Sequence, residues 1–160
     1  MKRRGYLETS VISYLTARPS KTILGAAHQQ ITVAWWERRN ECELVVSESV
    51  LRECGAGDPG AAQRRLNSVA ALPLLLINEQ ALHIAEARVT KGIVPTKAAE
   101  DALHIAVATV YGVDYLLTWN CRHIANPEMQ RNIAAYLEQI GLFLPFICTP
   151  EELLGEENAE

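Results

Sequence analysis

Short apolar runs alternate with longer amphipathic segments along most of the chain. The runs are apolar at consecutive positions, which is typical of strands that are buried on both faces of a sheet. They predict five strands, at residues 5–7, 44–46, 73–77, 115–118 and 143–148. The intervening segments repeat apolar residues at helical spacing. They predict helices at residues 11–15, 22–39, 47–54, 59–69, 79–90, 96–111 and 129–140, with a loop at 91–95.

This alternation of strands and helices predicts an α/β fold. The hairpin dipeptides Asn-Gly and Asp-Gly are absent, so we expect consecutive strands to be parallel and joined by helices. The prediction is a three-layer α/β/α domain around a central parallel sheet of about five strands. We expect one domain over residues 1–154 and a disordered tail over 155–160. Right-handed crossovers place the carboxyl ends of all strands at one edge of the sheet, where ligands of such folds bind.

Composition and charge narrow the class of protein. A chain of 160 residues with 49% hydrophobic and 21% charged residues fits one globular domain. The net charge of −4 gives no general support to nucleic-acid binding, which basic surfaces favour. A nuclease of this charge would concentrate its acidic residues at a metal site. The four cysteines form no C-x-x-C pair, so we expect reduced thiols rather than a zinc or redox site. Neither a signal peptide nor a membrane-length apolar run is visible in the sequence. We therefore expect a cytoplasmic protein with no membrane contact.

Oxygen-bearing side chains follow the predicted strands at the edge where ligands bind. Glu8 comes directly after the first strand, and Glu48 and Glu53 lie in the helix after the second strand. Asp101 opens the long helix before the fourth strand, and Asn120 follows that strand. Glu48 and Glu53 are about 140° apart around their helix, so both cannot easily face one ion. Carboxylate and amide oxygens suit Mg²⁺ or Mn²⁺ rather than zinc.

Four segments of the chain resemble the motifs of PIN-domain proteins. The resemblance covers about residues 5–150, and it rests on the order, spacing and strand-end placement of the motifs taken together. Between the two acids after the second strand, it favours Glu53 over Glu48. In chain order, the four segments are residues 6–13 (YLETSVIS), 50–53 (VLRE), 101–106 (DALHIA) and 116–120 (LLTWN).

The resemblance implies a flavodoxin-like PIN fold and metal-dependent hydrolysis of RNA. Many small bacterial members of the family are VapC-type toxins of type II toxin–antitoxin systems. We therefore expect an RNA substrate, a cognate antitoxin and a homodimer. The resemblance implies that Glu8, Glu53 and Asp101 hold a Mg²⁺ or Mn²⁺ ion, with Asn120 assisting. Glu8 stands where Asp is usual, and Asn120 stands where a fourth acid is common, so a second ion is expected to bind weakly.

Five further residues near these motifs each have a functional and a structural interpretation. Thr9 and Ser10 can cap the first helix, and their hydroxyls can also support the metal ligands. For His104, packing is favoured over ligation. Trp119 can stack on a base, although a core or interface position is favoured. For His123, a contact with phosphate and a surface position without function are equally favoured.

Two other functions are compatible with parts of the pattern. The first is a binding module with the same fold, which holds RNA or an antitoxin without cleavage, and the uncharged Asn120 favours it. The second is a nucleotide- or phosphate-binding protein of the flavodoxin type. Such a protein needs a phosphate loop rich in glycine, serine or threonine after the first strand. Residues 8–11 (ETSV) lack glycine and place a negative charge there, which argues against this function.

Overall fold

A computed structural model describes residues 2–90 and 99–155 of the chain. The strands are β1 (Arg3–Leu7), β2 (Cys42–Ser47), β3 (Leu74–Leu75), β4 (Tyr115–Leu117) and β5 (Phe146–Cys148). The helices are α1 (Thr9–Thr16), α2 (Ile23–Glu37), α3 (Glu48–Cys54), α4 (Pro59–Val69), α5 (Glu79–Thr90), α6 (Ala99–Val110), α7 (Pro127–Gln139) and α8 (Pro150–Leu154). A 3₁₀ turn at Arg39–Glu41 joins α2 to β2.

The five strands form one parallel sheet with the order β3-β2-β1-β4-β5. The central strand β1 pairs with β2 on one side and with β4 on the other, so that Tyr6 lies beside Val45 and Leu116. Neighbouring residues of a strand point to opposite faces. Tyr6 and Leu7 are both fully buried, so both faces of the sheet are covered. The predicted α/β/α architecture and parallel sheet are confirmed.

The helix α6 packs against α5 and α3. Every residue from 102 to 109 is buried, and alanines at several of these positions allow close packing. The turn after α6 contains Gly112 at a φ of 63°, a conformation that glycine adopts without strain. Residues 91–98, where we predict a loop and the first turn of this helix, lie outside the described residues. Within the described ranges, no helix is long and apolar enough to span a membrane.

The two edge strands are shorter than the sequence predicts. The strand β3 contains only two of the five residues predicted at 73–77, and β5 begins at Phe146 rather than at residue 143. Each of these strands pairs on one side only, so fewer ladder hydrogen bonds hold its ends. Leu76 and Phe143 are 59% and 80% exposed. These two apolar side chains therefore lie outside the strands and are exposed to solvent.

The C-terminal part of the chain contains a helix that the apolar pattern does not predict. Thr149 caps α8 and forms a reciprocal capping box with Glu152, and Pro150 occupies the first turn. The preceding helix, α7, begins two residues earlier than predicted, because Asn126 caps it ahead of Pro127. The predicted tail lies outside the described residues from residue 156 onward.

An arginine is fully buried near the end of α5. Arg88 donates one hydrogen bond, from Nη1 to the carbonyl oxygen of Ala102 at 3.4 Å. Among the described residues, its Nε and Nη2 have no hydrogen-bond partner. Burial lowers the pKa of Arg88 to about 10, because a low-dielectric environment disfavours the charged form. The guanidinium is therefore a destabilising element of this layer.

Candidate metal centre

The carboxyl ends of β1 and β4 define the place where a ligand would bind. These strands are neighbours at the centre of the sheet, and the chain leaves them toward opposite edges, to β2 and to β5. Such a switch in strand order opens a crevice beyond the strand ends. Glu8 directly follows β1, and Thr118 directly follows β4. The residues around these two positions form the candidate site.

Glu8 is a buried carboxylate that caps the first helix. Its Oε2 accepts the N–H of Ser10 at 2.8 Å, and its Oε1 accepts the hydroxyls of Ser10 and Thr118, both at 2.5 Å. Ser10 and Thr118 in turn accept the backbone N–H groups of Trp119 and Asn120. The longer side chain, where Asp is usual in PIN domains, thus folds back onto its own helix. Three of about four acceptor positions of the carboxylate are occupied, which leaves one on Oε2.

Glu53 lies on α3 and is held by two donors. Its Oε1 accepts the hydroxyl of Thr9 at 2.7 Å and lies 2.5 Å from Nε2 of His104. Burial alone would raise the pKa of Glu53, but the hydrogen bond with His104 and the nearby positive charges lower it below its usual value. No hydrogen bond from the described residues reaches Oε2. Glu48 is exposed and binds the N–H of Ile77 instead, so these two acids point to different places.

Asp101 lies in the first turn of α6 and shares its electrostatic environment with Glu8. Burial raises the pKa of the Asp101 carboxyl, and the charge of Glu8 raises it further. The charges of His104 and His123 and a hydrogen bond from the Asn120 side chain lower it, but they do not offset the rise. Asp101 is therefore close enough to Glu8 for their negative charges to repel each other.

Asn120 combines a structural contact with a contact to the site. Its Oδ1 accepts the N–H of His123 at 3.1 Å, which caps the turn after β4. Its side chain also lowers the pKa of Asp101, although this effect is smaller than those of burial and of the surrounding charges. Because a carboxylate can only accept, this effect comes from the NH₂ group of Asn120. The assisting role of Asn120 in metal binding stays a prediction.

Trp119 is anchored beside the site rather than projecting freely from it. Its indole stacks on the ring of His28, with centroids 4.1 Å apart and an interplanar angle of 16°. The indole Nε1 donates to Oγ1 of Thr32 at 2.9 Å, and Tyr14 packs edge-on against the ring. The structural interpretation of Trp119 accounts for all of these contacts.

Tyr6 and Thr118 lie within the motif segments 6–13 and 116–120, but the sequence assigned neither of them, nor Ser47, a role at the site. In the structure, the Tyr6 hydroxyl lies 2.6 Å from Nδ1 of His104 and 2.7 Å from Oγ of Ser47. Thr118 is fully buried against Glu8. All three residues lie in or directly after strands, at the end where ligands bind, and this position is the signal that could have identified them.

The side chains fit a hard divalent cation held by oxygen. Ligand atoms of Glu8, Glu53 and His104 lie within 4.8 Å of one another. Both ring nitrogens of His104 are already in hydrogen bonds, so the histidine is not available as a ligand. Burial alone would lower the pKa of His104, but the hydrogen bond with Glu53 and the surrounding carboxylates raise it. Glu8 and Glu53 thus offer carboxylate oxygens of the kind that suits Mg²⁺ or Mn²⁺. Asp101 is not part of this close group, although its carboxyl is near enough for the charge of Glu8 to raise its pKa. The predicted ligand role of Asp101 stays a prediction.

Comparison with known proteins confirms the class of fold. The chain is similar to a chain in the crystal structure of VapBC2 from Rickettsia felis bound to a DNA fragment from their promoter. The TM-score is 0.58 at 13% sequence identity, and the match covers 91% of this chain and 98% of the other. At this identity the likeness concerns the fold, which is PIN-like as the sequence motifs predict. No family model and no curated protein matches the chain.

Proposed function

We propose that this protein is a metal-dependent ribonuclease of the PIN-domain type and the toxin component of a type II toxin–antitoxin system. The observation that supports the proposal is the close approach of Glu8 and Glu53, whose ligand atoms lie within 4.8 Å of each other and of His104. Bunched carboxylates repel one another, and the charge of Glu8 adds to burial, the larger cause, in raising the pKa of Asp101. A divalent ion would relieve that repulsion, and few other ligands would.

In the proposed mechanism, Glu8, Glu53 and Asp101 would hold the first Mg²⁺ or Mn²⁺ ion. Such an ion, when bound, supplies a water of lowered pKa and polarises a phosphate. Thr9 and His104 fix Glu53, and Ser10 and Thr118 fix Glu8, so the carboxylates are preorganised before substrate arrives. Asn120 orients Asp101. His123 follows the same turn and is proposed to contact the RNA backbone.

The fold comparison supports a protein partner. VapBC2 was crystallised as a complex on promoter DNA, and we propose by analogy that this chain binds a cognate antitoxin. We also propose a homodimer and a cytoplasmic RNA substrate, both on the resemblance of the motifs to VapC-type toxins.

The decisive experiment is cleavage of a mixed single-stranded RNA pool in Mn²⁺, Mg²⁺ or EDTA. We expect cutting in either metal, none in EDTA, and none with Asp101→Asn. The matched control is Glu48→Gln, which removes an exposed acid whose side chain binds Ile77 outside the site, and it should cut like the wild type. An inert wild-type protein that also binds no divalent ion in calorimetry would refute the proposal.

A catalytically silent binding module is the second candidate. The carboxylate of Glu8 already accepts three hydrogen bonds, and the Asn120 oxygen accepts one. Both observations reduce the number of oxygens that are free for a metal. Retention of RNA or of a co-expressed antitoxin by an uncleaving wild-type protein would favour this candidate.

A further inference from the structure

A circuit of hydrogen bonds links the three elements that carry or precede the candidate metal ligands. Ser47 caps α3, Tyr6 lies in β1, His104 lies in α6, and Glu53 returns the circuit to α3. We propose that this circuit, through His104, positions Glu53 for metal binding and holds β1, α3 and α6 in the arrangement that the ion needs. The inference rests on the metal-dependent function proposed above.

The contacts of the circuit are short and mostly buried. Ser47 Oγ accepts the N–H of Val50 at 3.3 Å and lies 2.7 Å from the Tyr6 hydroxyl. That hydroxyl lies 2.6 Å from Nδ1 of His104, and Nε2 of His104 lies 2.5 Å from Oε1 of Glu53. Ser47, Tyr6 and His104 are each fully buried. Bulk water therefore cannot replace these partners.

The direction of each bond follows from the groups involved. Nε2 of His104 faces a carboxylate oxygen and must carry a hydrogen, whether the ring is neutral or charged. In the neutral ring, Nδ1 accepts the Tyr6 hydroxyl, which accepts the Ser47 hydroxyl, which accepts the N–H of Val50. Every donor then has an acceptor, and no buried polar atom of the circuit is left unsatisfied. The role of His104 toward Glu53 is thus independent of its charge.

The circuit also fixes which oxygen of Glu53 is available. Two donors, Thr9 and His104, converge on Oε1. The carboxylate is thereby held in one rotation, with Oε2 left for an ion. His104 lies three residues after Asp101 on nearly the same helix face. The histidine therefore ties the position of Glu53 to the helix that carries the other acid, and it acts through Glu53 rather than as a ligand.

Calorimetric titration of the full-length protein with MnCl₂ alone, after treatment with EDTA, tests this role. We expect His104→Leu to raise the Kd for Mn²⁺ by about 10–100-fold, the usual effect of losing a group that orients a metal ligand. His104→Gln keeps an N–H near the position of Nε2 and should retain most of the affinity. Tyr6→Phe removes one hydroxyl without changing the shape, and it should weaken binding by a smaller factor. This last variant provides the test if His104→Leu does not fold.

The control is Thr109→Val, which removes a buried hydroxyl whose one hydrogen bond within residues 2–90 and 99–155 goes to the carbonyl oxygen of Ile105 in α6. It should leave the Kd unchanged even if it lowers the thermal stability, which separates positioning from general destabilisation. If the wild type binds Mn²⁺ and the His104 and Tyr6 variants bind it equally well, the inference fails while the proposed function stands. Equal losses in His104→Gln and His104→Leu would contradict the role of the N–H donor. A wild type that binds no Mn²⁺ would refute both proposals.

Discussion

Replacing Asp101 by asparagine should separate the stability of the fold from metal binding. The pKa of Asp101 is raised by burial and by Glu8. A carboxyl group whose pKa is higher in the folded than in the unfolded state stabilises the fold when it is protonated. This stabilisation is fully present below the unfolded pKa and is lost as the pH rises through the folded pKa. At neutral pH the ionised Asp101 therefore destabilises the metal-free protein, and Asp101→Asn removes that effect. The loss of a first-turn acid from α6 acts in the opposite direction by less than ~1 kcal/mol.

The stabilisation of the folded protein by a bound metal ion can be calculated from the ion's concentration relative to its Kd. An ion present at about 100 times its Kd stabilises the folded state by about 2.7 kcal/mol. For a domain of this size, each kcal/mol shifts the Tm by roughly 2–4 °C. Saturating Mn²⁺ should therefore raise the Tm of the wild type by roughly 5–11 °C. Asp101→Asn should gain little from Mn²⁺, and in EDTA its Tm should equal or exceed that of the wild type.

Thermal unfolding followed by circular dichroism at pH 7, in EDTA and in MnCl₂, measures both quantities. The matched control is Glu100→Gln, because Glu100 also lies in the first turn of α6 but pairs with Arg52 at the surface. This control should keep the full Mn²⁺ shift. The reasoning is wrong if Asp101→Asn loses stability in EDTA by more than about 1 kcal/mol. It is also wrong if that variant gains the same Mn²⁺ shift as the wild type.

Two further predictions concern the core. Arg88→Met should raise the free energy of unfolding at pH 7 by about 1–4 kcal/mol, since it removes a buried charge for which the described residues provide no salt bridge. A lower urea midpoint would contradict this. Thr32→Val should lower it by about 1–3 kcal/mol, because the indole N–H of Trp119 loses its acceptor. In the described part of the chain, the Thr16 hydroxyl binds the carbonyl oxygen of Ile12 within α1, so Thr16→Val should change the free energy of unfolding by less than about 0.5 kcal/mol. Equal losses in both threonine variants would contradict the role of Trp119.

The order of strands and helices could be predicted because it is encoded locally. Each buried strand is a continuous apolar run, and each helix repeats apolar residues with its own period. The edges were harder to predict, because the length of β3 depends on pairing with β2 alone. The helix α8 carries a local signal in Thr149 and Glu152 that the apolar pattern does not contain.

Part of the candidate site could be predicted because strand ends converge. Glu8 follows a strand and Glu53 lies in the helix after one, and the handedness of crossovers brings such positions together. The same rule places Tyr6, Ser47 and Thr118 near the site, but it does not say which side chains contact one another. Thr118 contacts Glu8 from 110 residues away, and Tyr6 contacts His104 from 98 residues away. No local pattern marks such pairs, since a strand threonine or tyrosine reads first as a core residue.

The position of β1 at the centre of the sheet has a consequence for synthesis. The ribosome makes β1 and Glu8 before their partners, and Thr118 follows Glu8 by 110 residues. At about 5–20 residues per second, that interval is on the order of ten seconds. During this time a nascent chain carries Glu8 without the strand and the hydroxyl that complete its surroundings. The carboxylate cluster therefore assembles only when most of the polypeptide exists, and a truncated translation product that ends before residue 99 lacks it.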